Sequence, residues 1–550
     1  IDTTDNRTLF TESQYLGLSR VDLETGHRVS IRPGAPEGFI SPRRNWTTWP
    51  DLTNPEQPLG NAMPPGNWDG PFILSPHDPN TVYAGLDSLY VSRDQGMSWT
   101  SLGDLTTGTD RRTLEIMGER PDSFTLSLDD GIPYWPTLTE IAESPLEPGV
   151  LYVGTDDGLV QVSMDGGASW TEVSAFIPGL PEGTWIAGLE TSRHVPGRIY
   201  LTSNNYRNDD YGNYVYTSDD HGRSWQRLDG GLPANRVART IREDPRNPEV
   251  LYLGTELGLF VSQDRGRSWS QLEGGMPTMA FNDLVVHPRD NDLILGTHSR
   301  GIWILDNVNA LQEMTPEIQA MPAHLFTTED AHQIRYRRER GHTGDMIFRG
   351  DNPAAGAVID FWLAESANAD DVVLTILDGG GETVASVPME AEAGEVSRAV
   401  WNLRFALGSE EEGEEAAGPP ALPGLYTVRL QAAGRTMETP LVVRPDPRED
   451  IEEGVRFQWT EELFVIQRLA ARAEEASTRA DDLLESRGGE DDAAEELVRQ
   501  ADELRSRLRR LSGSVAGRVG PLTADEARQR DFLGRTLLEV ERQLAAEGGD

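Results

Sequence analysis

The sequence predicts a mainly β protein: a β-propeller that is part of a larger ring, then an immunoglobulin-like β-sandwich and a C-terminal α-helical hairpin. Three observations lead to this prediction. A turn motif recurs four times within residues 1–310, short strand-like segments follow, and the last part of the chain changes to helical periodicity. The predicted boundaries are 1–310 for the propeller, 311–342 for a linker, 343–446 for the sandwich and 447–550 for the helical region.

The propeller prediction depends on the repeated pattern Ser-x-Asp-x-Gly-x-Ser-Trp. Strand-like runs stand before and after each copy, which gives four short strands per unit, as in a propeller blade. The Asp and Gly suit a tight turn between strands three and four, because Asp accepts local N–H bonds and Gly takes positive φ. The Trp is expected to pack into its blade. The pattern is therefore interpreted as structural, and its aspartates are Asp94, Asp165, Asp220 and Asp264.

The motif and the phrases around it resemble the Asp-box (BNR-type) repeats of sortilin-like bacterial proteins, which are often labelled glycosyl hydrolases. The phrases that carry the resemblance are Tyr152–Gly158, Leu253–Phe260 and Gly296–Asp306. The resemblance runs through residues 1–310 and into the next domain. It implies a propeller built from such repeats, and members of this family usually have a longer N-terminal propeller half.

The two ends of the predicted propeller are incomplete. Residues 1–33 fit strands two to four of a blade, and residues 281–305 fit strands one to three. The ends therefore duplicate strands two and three and do not complete each other, and an open blade has unpaired edges. We expect a preceding propeller segment, from the same precursor or from a separate chain, to complete the ring.

The functional face is predicted to lie opposite the repeated turns. Loops between strands two and three and connections between blades emerge there, and the long insertions 34–70, 103–136 and 204–213 are among them. Long loops in a regular repeat usually mark the binding side. The candidate binding residues on or beside these loops are Trp68, Trp135, Tyr206, Arg207, Tyr211, His298 and Arg300.

Carboxylates on the same face leave two interpretations open. Together with the aromatic rings they suit sugar recognition, and a glycosidase would need two carboxyl groups about 5–9.5 Å apart. Alternatively they are turn residues, since Asp tolerates turn conformations. His298 occupies a turn position where sister blades have Asp156 or Glu256, and no second His stands at metal-ligand spacing, so no metal site is predicted. The catalytic candidates are Asp156, Asp157, Glu256, Asp209 and Asp210.

Two further regions follow the linker. The sandwich is predicted from strand-like segments separated by Gly/Pro turns: Val358–Trp362, Val372–Ile376, Ala399–Leu403, Tyr426–Leu430 and Leu441–Val443. Residues 457–547 have helical periodicity, Gly488 and Gly489 end the first helix, and Gly520 and Pro521 precede a third. The apolar stripe is expected to pack on the sandwich, the propeller or a partner helix, which leaves an oligomer through the helical tail open.

Composition limits the classes of function. The 550 residues include 91 acidic and 49 basic side chains, a net charge of −42, and no cysteine. Phosphate binding needs a basic surface, so the charge argues against nucleic acid. The lack of cysteine excludes disulfides and Cys-based zinc sites. No stretch is long and apolar enough to span a membrane, and no motif calls for a cofactor.

These observations predict a secreted or cell-surface propeller, placed in the extracellular space, the periplasm or the outer cell surface. It would bind a glycan or a protein partner through its loop-rich face. Two alternatives remain open: a glycoside hydrolase that uses paired carboxylates on that face, and a structural subunit of an envelope assembly.

Overall fold

The computed structural model describes residues 5–34, 66–110, 113–115, 120, 135–336, 350–407 and 416–548. The chain divides into two compact units, Ile1–Gln312 and Glu313–Asp550. Most of the predicted insertions 34–70 and 103–136 lies outside the described residues, whereas the insertion 204–213 is described in full.

The first unit contains six small antiparallel sheets, called blades 1 to 6 in chain order, and the predicted propeller is confirmed. Blades 1 to 3 are formed by β1 (Thr8–Thr11), β2 (Ser19–Asp22), β3 (Arg28–Ser30); β4 (Phe72–Leu74), β5 (Val82–Gly85), β6 (Ser88–Ser92), β7 (Thr100–Asp104); and β8 (Leu138–Glu143), β9 (Leu151–Thr155), β10 (Val160–Ser163), β11 (Thr171–Glu172). Blades 4 to 6 are formed by β12 (Trp185–Thr191), β13 (Ile199–Asn205), β14 (Asp210–Ser218), β15 (Gln226–Arg227); β16 (Ala238–Glu243), β17 (Leu251–Thr255), β18 (Gly258–Ser262), β19 (Ser270–Leu272); and β20 (Phe281–Val286), β21 (Leu293–Thr297), β22 (Ile302–Leu305).

In blades 3 and 5 the second strand is buried on both faces because neighbouring blades cover it. Every residue of β9 and of β17 is buried. A side chain added at Gly254 of β17 would place its Cβ 2.6 Å from the carbonyl oxygen of Phe281 in the next blade. Glycine at this position therefore allows blades 5 and 6 to pack closely.

The repeated motif forms the same hydrogen-bonded turn in blades 2 to 5. In blade 5 the hydroxyl of Ser262 donates to Asp264 Oδ1 (2.8 Å), while Ser268 donates to the same carboxylate through its backbone N–H (2.9 Å) and its hydroxyl (2.6 Å). The other three turns have matching bonds. In blade 2 the serine hydroxyls lower the pKa of Asp94 to about 2. These carboxylates are ionised acceptors that hold their own turns.

The tryptophan of the motif differs from the expectation that it packs within its own blade. Trp99 Nε1 donates to the carbonyl oxygen of Ile31 in blade 1 (2.8 Å), and Trp269 Nε1 donates to that of Leu228 in blade 4 (2.7 Å). In the third copy of the motif, Trp225 Nε1 donates instead to the carbonyl oxygen of Gly222 in its own turn. The indole is long enough to reach the preceding blade, so two of the repeats join consecutive blades through it.

Among the described residues, blades 1 and 6 have three strands each, whereas the other four blades have four. In the described part of the chain, β22 pairs with β21 and lies at the edge of blade 6. Its Ile302 and Ile304 are 73% and 57% exposed. Blade 6 therefore presents an apolar edge strand.

The second unit begins with a β-sandwich. Its sheets have the strand orders β23-β25-β28, β24-β32-β31-β26-β27 and β29-β30, and one apolar cluster lies between the two larger sheets. The strands are β23 (Ala323–Leu325), β24 (Ala331–His332), β25 (Ala357–Leu363), β26 (Val373–Leu377), β27 (Thr383–Ser386), β28 (Val396–Trp401), β29 (Arg404–Leu407), β30 (Ala416–Pro420), β31 (Gly424–Ala432) and β32 (Arg435–Arg444).

Residues 311–342, predicted to form a linker, include regular structure. They contain the end of the short helix α1 (Asn309–Glu313), the whole of α2 (Pro316–Gln319) and the two strands β23 and β24. Those strands pair with β25 and β32, so residues 323–332 belong to the sandwich. They are too short to show a local pattern, and distant pairing makes them strands. The remainder, 337–342, lies outside the described residues.

The predicted helical C-terminal region is confirmed, and it contains three long helices. They are α3 (Glu453–Ser486), α4 (Asp492–Ala516) and α5 (Ala524–Gly548). Gly488 and Gly489 end α3 with positive φ, and the carboxylate of Asp491 caps α4 by accepting two backbone N–H bonds. The apolar faces of the three helices share one core. Within the described residues, none of the helices is both long and apolar enough to cross a membrane.

Candidate functional site

One polar position recurs at the end of the second strand in every blade. In blades 3, 5 and 6 its backbone N–H donates to the carbonyl oxygen just before strand one: Asp156 to Thr137, Glu256 to Val237, and His298 to Ala280. Aligning the second strands extends this rim position to all six blades. Its occupants, in chain order, are Ser13, Asp87, Asp156, Asn204, Glu256 and His298.

The carboxylates of Asp156 and Asp157 are buried and hold loops together. Asp156 accepts from the backbone N–H (2.8 Å) and the hydroxyl (2.7 Å) of Thr137 and from Asn67 Nδ2 (3.3 Å). Asp157 accepts from the backbone N–H of Thr107 at 2.7 Å. These contacts connect blade 3 to the segments that precede blades 2 and 3. Both residues are 5% exposed or less, and their contacts are those of turn residues.

Asp209 and Asp210 belong to the turn of the 204–213 insertion. Asp209 is exposed and has a left-handed backbone, φ 56°, at the end of a 3₁₀ turn formed by Tyr206–Asn208. Asp210 accepts from the hydroxyl of Tyr214 (2.6 Å) and from Asn205 Nδ2 (2.9 Å). Burial alone would raise the pKa of Asp210, but these hydrogen bonds outweigh it and lower the pKa. Asp210 thus fixes the insertion.

A cleft of about 880 Å³ lies between blades 3 and 4. Four of the predicted site residues line it: Trp135, Arg207, Asp156 and Asp157. The other predicted residues are not among its lining: Trp68, Tyr206, Tyr211, His298, Arg300, Glu256, Asp209 and Asp210. Trp185 and Asn204 are among the lining residues that were not predicted. The available signal for Asn204 was its alignment with the rim position.

Stacked aromatic and guanidinium groups support one wall of the cleft. Arg207 Cζ lies 4.2 Å from the ring centroid of Trp185 and 4.6 Å from that of Tyr206. Arg239 Cζ lies 5.0 Å from the same Tyr206 ring, and Arg239 forms an ion pair with Glu256. Tyr206 and Glu256 therefore support the cleft wall from behind, and the predicted role of Glu256 as a free acid does not match this ion pair.

A second cluster contains Glu12, Asp69 and His298. Burial, together with the smaller effect of the nearby carboxylate of Asp69, raises the pKa of Glu12 to about 7. Partial burial also raises the pKa of Asp69, although the charges of His298 and Arg239 oppose this shift. Asp69 keeps an exposed side chain. Among the described residues, no group of three or more His, Asp or Glu side chains is arranged to hold a metal ion.

Three predicted binding residues lie in exposed places. The Trp68 ring is 38% exposed and packs edge-on against Tyr15, with ring centroids 5.3 Å apart. Tyr211 is 48% exposed at the tip of the insertion. Arg300 is exposed in the turn before β22. The structure does not bring these three side chains into the cleft.

Replacing Asp156 with alanine is expected to reduce the free energy of unfolding by about 3 kcal/mol. At least two buried donors would lose their acceptor, and each such loss costs about 1–3 kcal/mol. Urea unfolding measures the change. Asp209→Ala, at an exposed turn position, is the control and should cost less, although the left-handed backbone adds some strain. Full stability in Asp156→Ala, with loss of a hydrolytic activity, would instead identify a catalytic acid.

Comparison with known proteins adds a family likeness. Residues 213–336 match the Sortilin-Vps10 family, described as sortilin, neurotensin receptor 3. The xyloglucanase Xgh74A of Acetivibrio thermocellus is 25% identical over 146 residues, which cover 23% of this chain and 17% of that protein. The chain thus spans less than a fifth of this curated relative.

The solved structures to which this chain is similar include a GH74 xyloglucanase and a GH74 enzyme. The xyloglucanase from Xanthomonas campestris has 14% sequence identity and a TM-score of 0.37, covering 80% of this chain and 65% of that one. The enzyme from Niastella koreensis also has 14% identity, with a TM-score of 0.34 and coverage of 80% and 55%. The family match begins within strand β14 and includes the repeated turns of blades 4 and 5 and the strands of blade 6. The repeated blades thus form a β-propeller, and over residues 213–336 the chain is similar to the sortilin family.

Proposed function

We propose that the propeller unit is a binding module for a neutral glycan, which occupies the cleft between blades 3 and 4. The observation that carries the proposal is the convergence of two indole rings, Trp135 and Trp185, with the amide of Asn204 in one cleft of about 880 Å³. That volume is typical of a small-ligand site. Indole rings provide apolar faces that can stack on pyranose rings, and amides bind hydroxyl groups.

The charge of the cleft favours a neutral ligand. The acidic side chains of Glu115, Glu172 and Glu182 line it together with Asp156 and Asp157. Its lining guanidinium, that of Arg207, is stacked between two aromatic rings. An anionic glycan would meet like charges, which cost binding energy.

Binding is better supported than hydrolysis. Glycoside hydrolysis by the usual route needs one carboxyl that gives a proton and a second, ionised carboxylate. The predicted acids Asp156, Asp157 and Asp210 accept hydrogen bonds that position loops, and Glu256 pairs with Arg239. A polysaccharide ligand is met outside the cytoplasm, so the proposal places the protein in the extracellular space, the periplasm or the outer cell surface.

Calorimetric titration of the full chain with neutral xyloglucan oligosaccharides tests the proposal. The probe is chosen because the curated relative is named a xyloglucanase. Trp135→Ala is expected to weaken binding about 30-fold, the size of a hot-spot loss. Phe457→Ala, an aromatic on α3 that is 51% exposed, is the control and should leave the affinity unchanged. Absence of binding to neutral oligosaccharides, or equal binding of an anionic glycan, would contradict the proposal.

A further inference from the structure

We infer that Asn204 is the specificity-determining residue of the cleft. Its carboxamide would bind a neighbouring donor and acceptor on the glycan, such as two adjacent hydroxyl groups. The inference rests on the proposed function and adds to it the group that recognises the ligand and the chemical feature that the group selects.

The Asn204 side chain is buried without hydrogen-bond partners. It is 1% exposed and lines the cleft. In the described part of the chain, neither its Nδ2 nor its Oδ1 has a hydrogen-bond partner. Buried polar side-chain atoms are nearly always paired, and an unpaired one in a native structure needs a specific reason. Here both the donor and the acceptor of one amide are unpaired, beside a cleft.

Comparable residues nearby are paired. The sister residue Asp156 accepts from Thr137, and the next residue in the chain, Asn205, donates to Asp210 at 2.9 Å. Asn205 also accepts a bond at 2.7 Å from the amide of a neighbouring side chain. Asp156 and Asn205 thus have hydrogen-bond partners, whereas among the described residues neither polar atom of the Asn204 amide has one.

The sheet holds this amide beside an aromatic ring. Asn204 of β13 is the direct cross-strand partner of Trp185 at the start of β12. Groups on adjacent strands keep a fixed spacing, which suits a rigid binding site. The Trp185 ring is held in place by the guanidinium of Arg207. The ring and the amide thus form one preorganised pair on the wall of blade 4.

The chemistry of the carboxamide determines what it selects. The group is neutral and offers two N–H donors and a carbonyl acceptor. One hydroxyl group can accept a hydrogen bond from an N–H of the amide while an adjacent hydroxyl group donates one to its carbonyl oxygen. A site of this kind rejects an analogue that lacks one hydroxyl, because its own buried polar group then stays unpaired. The cleft would therefore distinguish sugars by a hydroxyl pair and not by charge.

Asn204→Leu tests the inference, because leucine has nearly the same volume and no polar atoms. The affinity for a neutral xyloglucan oligosaccharide should fall by about 10- to 100-fold. The melting temperature of the ligand-free protein should rise, because the variant no longer buries an unpaired amide. Oligosaccharides that each lack one hydroxyl should bind less tightly to the natural protein. One of these oligosaccharides, the one that lacks a hydroxyl contacted by Asn204, should bind the Asn204→Leu variant with the same affinity as the complete sugar binds that variant.

Asn291→Leu is the matched control. Asn291 is also 1% exposed, but its amide is paired, at 2.7 Å to Asn309 and at 2.9 Å to Gln312. This variant should melt at a lower temperature and leave the affinity of the folded protein unchanged. The opposite changes in melting temperature separate an unpaired binding amide from a structural one.

The outcomes distinguish the inference from the proposed function. Unchanged affinity in Asn204→Leu, with binding still lost in Trp135→Ala, would overturn the inference and leave the glycan proposal standing. A lower melting temperature together with weaker binding would also overturn it, by showing that Asn204 is structural. If the natural protein binds none of the neutral oligosaccharides, both fail.

Discussion

Replacing Trp269 with alanine is expected to lower the free energy of unfolding of the propeller unit by about 3–5 kcal/mol, the usual cost of deleting a buried large aromatic side chain. The indole is 8% exposed and packs in a cluster with Tyr200, Leu228 and Phe260. Its Nε1 also donates to the carbonyl oxygen of Leu228 in the preceding blade. The substitution would open a cavity between blades 4 and 5 and remove the bond that joins them.

The same substitution at Trp225 is the control for this prediction. Trp225 occupies the same place in its motif, but it is only partly buried and its Nε1 donates to Gly222 of its own turn. We expect a cost of about 1 kcal/mol, typical of a partly exposed site. Hydrogen exchange measured by mass spectrometry, peptide by peptide, reports the loss of protection in blades 4 and 5. Equal losses in the two variants would show that the contact between blades adds nothing.

Asp244→Ala is expected to cost about 4 kcal/mol. The carboxylate is fully buried and accepts from the hydroxyl of Tyr252 (2.9 Å), from Gln312 Nε2 (2.8 Å) and from two backbone N–H groups. Burial raises the pKa of Tyr252 well above its usual range, with Asp244 adding to the effect, so its hydroxyl stays a donor. Alanine would leave at least two buried donors unpaired, at about 1–3 kcal/mol each.

Asp244→Asn separates the loss of hydrogen bonds from the loss of volume. Asparagine keeps one acceptor oxygen and nearly the same shape, so about half of the destabilisation should remain. Urea unfolding of both variants, followed by circular dichroism, provides the comparison. The explanation would be wrong if the alanine variant were as stable as the asparagine variant.

Local patterns explain why the blades could be predicted from the sequence. Each repeated turn is built from hydrogen bonds between residues two to four positions apart, and each strand is a short buried run. The strands β23 and β24 were missed because their residues become strands only by pairing with β25 and β32. A strand of three residues, such as β23, or of two, such as β24, is too short to show a sequence pattern that reveals such distant pairing.

The site was only partly predictable for the same reason. Trp135 and Arg207 were identified from residue type and loop position, and both line the cleft. The partners of Asp156 lie 19 and 89 positions away in the chain, so its role in holding loops was not visible. The inference about Asn204 comes from an amide that has no hydrogen-bond partner among the described residues, which no sequence pattern can show.

The edge strand β22 has a consequence for handling the protein. Exposed backbone groups beside Ile302 and Ile304 can template the addition of another strand, the route by which sheet proteins form fibres. The net charge of −42 makes the molecules repel each other and so opposes that contact. Salt shortens the reach of this repulsion to about 10 Å at 0.1 M. Colloidal stability should therefore be greatest in dilute buffer, and concentrated salt should favour precipitation.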